Sequence, residues 1–164
     1  MPVRTYLQLN TTADLQPVLS QPQVGEPVRF DPVLACDVER ARAMYRDVGH
    51  AYGWHDRNAW SDEQYTERLQ SPAVQLWVLA VGERFAGFTE FERHGDNSVE
   101  IVLFGLAAQF IGHGLGGWML TRAVEEAWRM NATRVWLHTC TLDSPHALPN
   151  YLRRGFTPYR TEEY

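Results

Sequence analysis

The spacing of apolar residues in the first part of the chain predicts two helices. Between residues 38 and 52 apolar side chains recur at helical intervals, with Asp37 in place to cap the helix and Gly53 in place to end it. The sequence Ser61-Asp-Glu-Gln64 then has the capping-box pattern, in which each of the two outer side chains satisfies a backbone amide of the other residue. A short second helix is therefore expected to open at this point.

From residue 74 onward the hydrophobic pattern changes from a helical to an extended period. Three apolar runs follow one another across turns at residues 82–84 and 95–97, which predicts an antiparallel meander. A later apolar run follows a helical segment, so its strand is expected to lie parallel to the strand before that helix. Strands are expected at residues 4–9, 28–32, 74–81, 85–93, 98–106, 133–140 and 156–161.

A glycine-rich segment separates the last strand of the meander from a helix expected over residues 118–130. Five glycines fall between residues 105 and 117, where they let the backbone bend sharply or approach a ligand closely. A helix that opens on such a loop leaves its first amides unpaired and able to bind an anion. The segment therefore predicts a phosphate-bearing ligand.

A further short helix is expected after the strand at 133–140. Ser144-Pro145 places a capping residue before a proline suited to the first helical turn. Pro149 lacks an amide hydrogen and is expected to delay the start of this helix or to kink it.

Length and composition favour one domain over residues 1–164. The chain is 45% hydrophobic and 21% charged, which is ordinary for a globular protein of this size. The net charge of −5 and the lack of a basic face argue against nucleic acid as a partner and suit a cationic acceptor. Cys36 and Cys140 lack C-x-x-C spacing, and no apolar signal follows the first methionine, so a cytoplasmic location is expected.

A twenty-residue stretch without charge, residues 101–120, matches the length of a membrane span. Its five glycines, together with Gln109 and His113, divide it into a strand, a loop and the start of a helix. No membrane segment is therefore expected.

The glycine loop also matches the dinucleotide-binding pattern G-x-G-x-x-G over residues 112–117. The context differs from that motif, because five residues separate the loop from the preceding strand and an antiparallel hairpin comes before it. Too few residues follow the loop to build a doubly wound sheet. A dinucleotide-binding protein is thus a disfavoured alternative.

The motifs between residues 74 and 156 together resemble the GNAT superfamily of N-acetyltransferases, which bind acetyl-coenzyme A. That family has a Val-x-Pro-like turn after a strand, followed by Arg/Gln-x-x-Gly-x-Gly/Ala at the start of a helix. A later helix carries Ala-x-x-x-Tyr-x-x-x-Gly-Phe. The matching positions, aligned without a gap, are Leu106, Ala108, Ile111, Gly114 and Gly116 for the first pattern and Ala147, Tyr151, Gly155 and Phe156 for the second. Two positions depart from the family: Ile111 replaces a polar residue, and Ser144 stands where asparagine is frequent.

The resemblance implies an α/β fold with a mixed, mostly antiparallel sheet, helices on both faces and a splayed central pair of parallel strands. It implies transfer of an acetyl group from acetyl-coenzyme A to a primary amine of a small molecule or peptide, by direct attack in a ternary complex. No metal and no membrane partner are expected, and a homodimer is an open alternative. A coenzyme A-binding regulatory module without catalysis is the alternative function.

The resemblance also assigns residues to the cofactor. Main-chain groups of the strand are expected to pair with the pantetheine arm, and an amide near Leu106 would stabilise the oxyanion. The glycine-loop amides are expected to hold the pyrophosphate, and Ser144 is a further contact. The expected cofactor-binding residues are Phe104, Gly105, Leu106, Gly112, His113, Gly114, Leu115, Gly116, Gly117 and Ser144.

The resemblance makes Glu100 the candidate base, because it lies six residues before Leu106, where some members of the family carry a catalytic glutamate. A carboxylate inside an apolar strand is also costly unless it is used or paired. The alternative is a solvated side chain paired across the hairpin with Arg93 or Arg84; Glu90 and Glu92 are second choices for the base. The resemblance likewise makes Tyr151, four residues before Gly155, the candidate acid for the leaving thiolate, and a phenol can donate a proton to a thiolate. The alternative is a tyrosine of the hydrophobic core. His138 can face the cleft or lie partly buried as a structural residue, and its neighbourhood is too sparse in ligands for a metal site.

The resemblance implies that the acceptor meets the region around the first two helices, which here is an aromatic segment. Trp54, Asp56 and Trp60 have the chemistry of a cage for a cation or an aromatic amine. The alternative is that these rings pack the segment onto the core.

Overall fold

The computed structural model describes residues 1–164, in which seven strands form one sheet. The spatial order of the strands is β2-β3-β4-β5-β6-β1-β7. Their bounds are β1 Val3–Leu9, β2 Val28–Pro32, β3 Val74–Val81, β4 Arg84–Arg93, β5 Val99–Leu106, β6 Val135–Cys140 and β7 Thr157–Glu163.

All neighbouring strands pair antiparallel except β5 and β6, which are parallel. The meander of β3, β4 and β5 and the parallel crossover into β6 are therefore confirmed. The predicted strand bounds differ from the observed ones by two residues or fewer. β7 pairs with β1, so the first and last strands lie side by side in the same half of the sheet.

Four α-helices connect the strands: α1 Val38–Gly49, α2 Asp62–Gln70, α3 Leu115–Arg129 and α4 Ala147–Arg153. The predicted caps are confirmed, since the Asp37 side chain accepts a hydrogen bond from the Arg40 amide at 2.8 Å. Ser61 and Gln64 bond each other's amides reciprocally at 3.1 and 2.8 Å.

One predicted helix start was wrong. α3 begins three residues earlier than expected, because Gly116 and Gly117 adopt helical geometry instead of ending the loop. α4 begins at Ala147, after the Ser144-Pro145 pair, which is the delayed start expected from Pro149. Pro149 is accommodated in the first turn of α4, where a backbone amide has no partner within the helix.

The helices cover both faces of the sheet. The larger apolar core lies between the sheet and α3 and α4, and a smaller one lies under α1 and α2. None of the helices is both long and apolar enough to cross a bilayer. Cys36 and Cys140 form no disulfide.

Candidate active site

A cleft opens in the middle of the sheet because β5 and β6 pair over only two residues each. Val99 pairs with Val135 and Glu100 with Trp136, and beyond these pairs β6 stays bonded only to β1. On its other side, β5 carries one extra residue, Val102, between its pairings with β4. Such a bulge bends a strand, and here it accompanies the divergence of β5 from β6.

The far end of β5 presents main-chain groups to this cleft. The Ala107 amide bonds the Ala86 carbonyl on β4. Since successive residues of a strand point their polar groups to opposite sides, Leu106 directs its N–H and C=O into the cleft. Its carbonyl accepts a hydrogen bond from the Tyr52 hydroxyl at 3.4 Å. A ligand with amide groups can pair with this edge like an added strand.

The glycine loop lies between the end of β5 and the start of α3. Gly112 and Gly114 have φ angles of 86° and 77°, and a Cβ on either residue would meet no atom within 4 Å. No side chain caps α3, so the first amides of the helix are unpaired and face open space. His113 is exposed within the loop, whereas the Leu115 side chain is buried in the core.

The remaining two glycines of the loop serve packing against α4. A Cβ on Gly117 would collide with the Arg154 guanidinium, and one on Gly116 would touch the Asn150 amide at 3.6 Å. The same Asn150 amide donates a hydrogen bond to the Gly116 carbonyl at 3.2 Å. Ser144, in the loop before α4, accepts a hydrogen bond from the His146 amide at 3.3 Å.

Glu100 lies where the two central strands begin to separate, and only 12% of its side chain is exposed. One carboxylate oxygen is 2.9 Å from Nε2 of His94, and the other is 4.0 Å from Nε2 of His138. The alternative partners are engaged elsewhere, because Arg93 bonds Asn97 and Arg84 bonds Glu26. The carboxylate is therefore nearly buried between two imidazoles, without an arginine partner.

The second-choice carboxylates are bound in ion pairs. Glu90 is fully buried and accepts hydrogen bonds from Arg57 at 2.8 and 2.6 Å and from Arg68 at 2.8 and 3.0 Å. Burial raises the pKa of Glu90, but the hydrogen bonds and charges of the two arginines outweigh it and leave the pKa below its ordinary value. Glu92 bonds Arg68 at 2.9 Å. Both second-choice carboxylates are thus engaged by arginines, unlike Glu100.

Tyr151 lies on α4 beneath the cleft and is buried beside the rings of Phe104 and Phe156, with centroids at 6.3 and 6.0 Å. Burial first, and then the charges of Asp143 and Tyr52, raise the pKa of its phenol far above the ordinary range. The phenol is therefore protonated at neutral pH. Sequence reasoning missed Tyr52, which reaches the cleft from the turn after α1 and gave no motif signal.

The structure does not join the three predicted acceptor residues into one cage. The Trp54 ring packs against Tyr45 and the other rings of the smaller core. The Trp60 ring instead lies under the Arg57 guanidinium at 4.5 Å and beside Tyr65. Asp56 is exposed near His55. Contact of these residues with an acceptor stays a prediction.

One group of side chains has the composition of a metal site. Glu92, His94 and Glu100 offer ligand atoms within 4.8 Å of one another. Each already has a protein partner, since Glu92 bonds Arg68 and the other two residues bond each other.

Comparison with known proteins gives one matching family and one curated relative. The Acetyltransferase (GNAT) family matches residues 37–156. A mycothiol acetyltransferase from Corynebacterium efficiens is 29% identical over 111 residues, which cover 65% of this chain and 37% of that protein. The chain thus spans little more than a third of the relative's length.

Solved structures share the fold at low identity. A GCN5-related N-acetyltransferase from Sphaerobacter thermophilus superposes with a TM-score of 0.71 at 14% identity, over 98% of this chain and 49% of that one. A second, from Kribbella flavida, gives a TM-score of 0.65 at 18% identity, over 97% of this chain and 55% of that one. An aminoglycoside acetyltransferase from an uncultured soil metagenomic sample gives a TM-score of 0.63 at 12% identity, over 76% of this chain and 85% of that one.

Proposed function

Because the chain belongs to the acetyltransferase (GNAT) family, we propose that it transfers an acetyl group from acetyl-coenzyme A to a primary amine. The acceptor is a small molecule or peptide, and the amine attacks directly within a ternary complex. The observation that carries this proposal is the unpaired edge of β5, which runs from Ile101 to Leu106 and ends at the glycine loop.

The glycine loop supplies the anion site for acetyl-coenzyme A. Open space at Gly112 and Gly114 lets a pyrophosphate reach the unpaired amides at the start of α3. Phe104, Gly105 and Leu106 provide the main-chain edge for the pantetheine arm, and Ser144 lies on the opposite side of the cleft. A main-chain amide of this edge near Leu106 stabilises the oxyanion, a contribution typically worth about 3 kcal/mol.

Glu100 acts as the base, directly or through a water molecule. The carboxylate takes one proton from the acceptor ammonium, which frees the nitrogen lone pair to attack the thioester carbon. The C–N bond forms and the C–S bond breaks, and the thiolate leaves with a proton from Tyr151. The second proton lost by the nitrogen returns to Tyr151 through solvent, and Glu100 releases the first proton to solvent, so both groups are restored.

The raised pKa of Tyr151 is compatible with this role. Burial makes the phenol a weaker acid, but the same desolvation makes a thiolate beside it a stronger base. Desolvation therefore weakens the acid and strengthens the base together, so the phenol can still protonate the thiolate. The phenol itself is fully protonated at the working pH.

The test has a binding step and a turnover step. Calorimetric titration with acetyl-coenzyme A is expected to give saturable, roughly stoichiometric binding, with NADH as a control that does not bind. Turnover is then measured on a panel of amines: a polyamine, amino acids, an aminoglycoside and a peptide with a free N-terminus. Glu100→Gln and Tyr151→Phe are expected to lower kcat by about 10²–10⁴-fold and to leave acetyl-coenzyme A binding unchanged.

Other results would contradict the proposal. Tight binding without turnover on any amine would favour a regulatory coenzyme A-binding module. Binding of NADH in place of acetyl-coenzyme A would favour the dinucleotide alternative.

A further inference from the structure

The two imidazoles beside Glu100 occupy different positions in the fold. His94 comes from the turn after β4 and contacts Oε1 at 2.9 Å, and its ring lies against Trp136. His138 comes from the middle of β6, across the start of the cleft, and its Nε2 is 4.0 Å from Oε2. One histidine is thus hydrogen-bonded to the carboxylate, whereas the other is separated from it by a gap.

The gap between the Glu100 carboxylate and the His138 imidazole is wide enough to hold an amine nitrogen. A distance of 4.0 Å is too long for a direct hydrogen bond, but a third polar atom can lie within hydrogen-bond distance of both groups at once. His138 and Glu100 have 37% and 12% of their side chains exposed, so solvent reaches the site mainly at His138. Tyr6 forms an aromatic wall beside it, with its ring 5.4 Å from that of His138.

His138 is held in its neutral form. Burial lowers the pKa of its imidazole, and the Arg4 charge lowers it further, whereas the carboxylates of Glu100, Asp143 and Glu162 act in the opposite direction. The titratable and charged groups around the two histidines are Arg4 and Tyr6 from β1, Glu92 from β4, Glu100 from β5, Asp143 after β6, and Arg160 and Glu162 from β7. A neutral imidazole can accept a hydrogen bond from an ammonium group.

We propose that the acceptor amine binds between Glu100 Oε2 and His138 Nε2, and that His94 is a positioning residue that fixes Glu100 for this contact. The proposal rests on the acetyltransferase function proposed above and assigns its acceptor site. The ammonium donates one N–H to each group; the proton passes to Glu100, and His138 stays neutral. His94 holds the Oε1 side, so that the free Oε2 faces the amine.

Two substitutions at His138 distinguish the contribution of its aromatic ring from that of its hydrogen-bond acceptor nitrogen. The assay uses the amine that the unsubstituted enzyme acetylates fastest, with a chelator present throughout. His138→Phe keeps an aromatic ring beside Tyr6 but removes the acceptor, and is expected to raise the amine KM by about tenfold or more at every pH. His138→Gln keeps a polar acceptor that does not titrate, and is expected to have nearly the original KM near pH 8.

The pH profile identifies His138 specifically. In the unsubstituted enzyme the amine KM is expected to rise as the pH falls below the usual histidine range, because a protonated imidazole repels the ammonium. His138→Gln is expected to lose this rise. The KM for acetyl-coenzyme A should not change in either variant, and His50→Gln, an exposed histidine at the end of α1, serves as the matched control.

His94 is tested through kcat. His94→Ala is expected to lower kcat by about tenfold with little change in either KM, and His94→Gln, which can place a donor near the same oxygen, is expected to recover most of the loss. If His94→Ala has the same kcat as the control His50→Gln, the positioning role of His94 is overturned.

The remaining outcomes are distinct. Normal turnover with an unchanged amine KM in His138→Phe would overturn the acceptor site alone, as would a His138→Gln variant that keeps the acid rise. An unsubstituted enzyme without turnover on any amine would overturn the proposed function, and the acceptor site with it.

Discussion

At the scale of single residues, the ion pairs of Glu90 hold the segment between α1 and α2 on the sheet. Arg57 belongs to that segment and is only 8% exposed. Arg57→Ala removes two of the four hydrogen bonds to this buried carboxylate and leaves Arg68 as its remaining charged partner, so the variant is expected to cost about 1.5–3 kcal/mol of unfolding free energy. Urea denaturation measures this loss. Arg46→Ala, which removes an exposed arginine paired with Asp47, is expected to cost less than about 1 kcal/mol.

The Glu90 carboxylate also makes the stability of the folded protein depend on pH in the acid range. The two arginines keep the pKa of Glu90 below its value in the unfolded chain, which is about 4.3 for an exposed glutamate. Its contribution to stability is therefore complete above that pH and is lost as the pH falls through the folded pKa. Urea midpoints measured from pH 6 to pH 3 are expected to fall less steeply in Arg57→Ala than in the original protein. Equal slopes would contradict this.

At the scale of elements, the left-handed glycines shape the loop that opens α3. An alanine at Gly114 is strained by about 1–2 kcal/mol in that conformation. Gly114→Ala is therefore expected to weaken acetyl-coenzyme A binding by about tenfold in a calorimetric titration. Gly25→Ala is the matched control, since Gly25 is also left-handed and open but lies in the segment before β2. If both variants bind alike, the loop conformation is irrelevant to the ligand.

The elements could largely be predicted from the sequence, whereas the contacts around the base could not. Periodicity and turn residues are local signals, and they identified the meander, the caps and the parallel crossover. The start of α3 was misplaced because Gly116 and Gly117 are typical of a loop, whereas in the structure both lie in the first turn of the helix. His94 is only six residues from Glu100, but His138 lies far along the chain from Glu100, as does Arg57 from Glu90. No local pattern indicated those long-range contacts.

At the scale of the whole molecule, acetyl-coenzyme A is expected to bridge the two parts of the sheet that meet only at the start of β5 and β6. A ligand that binds only the folded state adds about 2.7 kcal/mol when its concentration is one hundred times Kd. Thermal unfolding is thus expected to shift to higher temperature as acetyl-coenzyme A is added, and not with NADH. A melting temperature independent of acetyl-coenzyme A would contradict the binding site.

The position of β1 has a kinetic consequence. This strand lies between β6 and β7, so Arg4 must find Cys140 on one side and Glu162 on the other. Contacts of such long sequence separation slow folding, because the loop must close before any pairing is gained. During synthesis, residues 3–9 leave the ribosome long before either neighbour exists. During synthesis β1 therefore has no partner strand until β6 has been made, and its second partner, β7, follows later still.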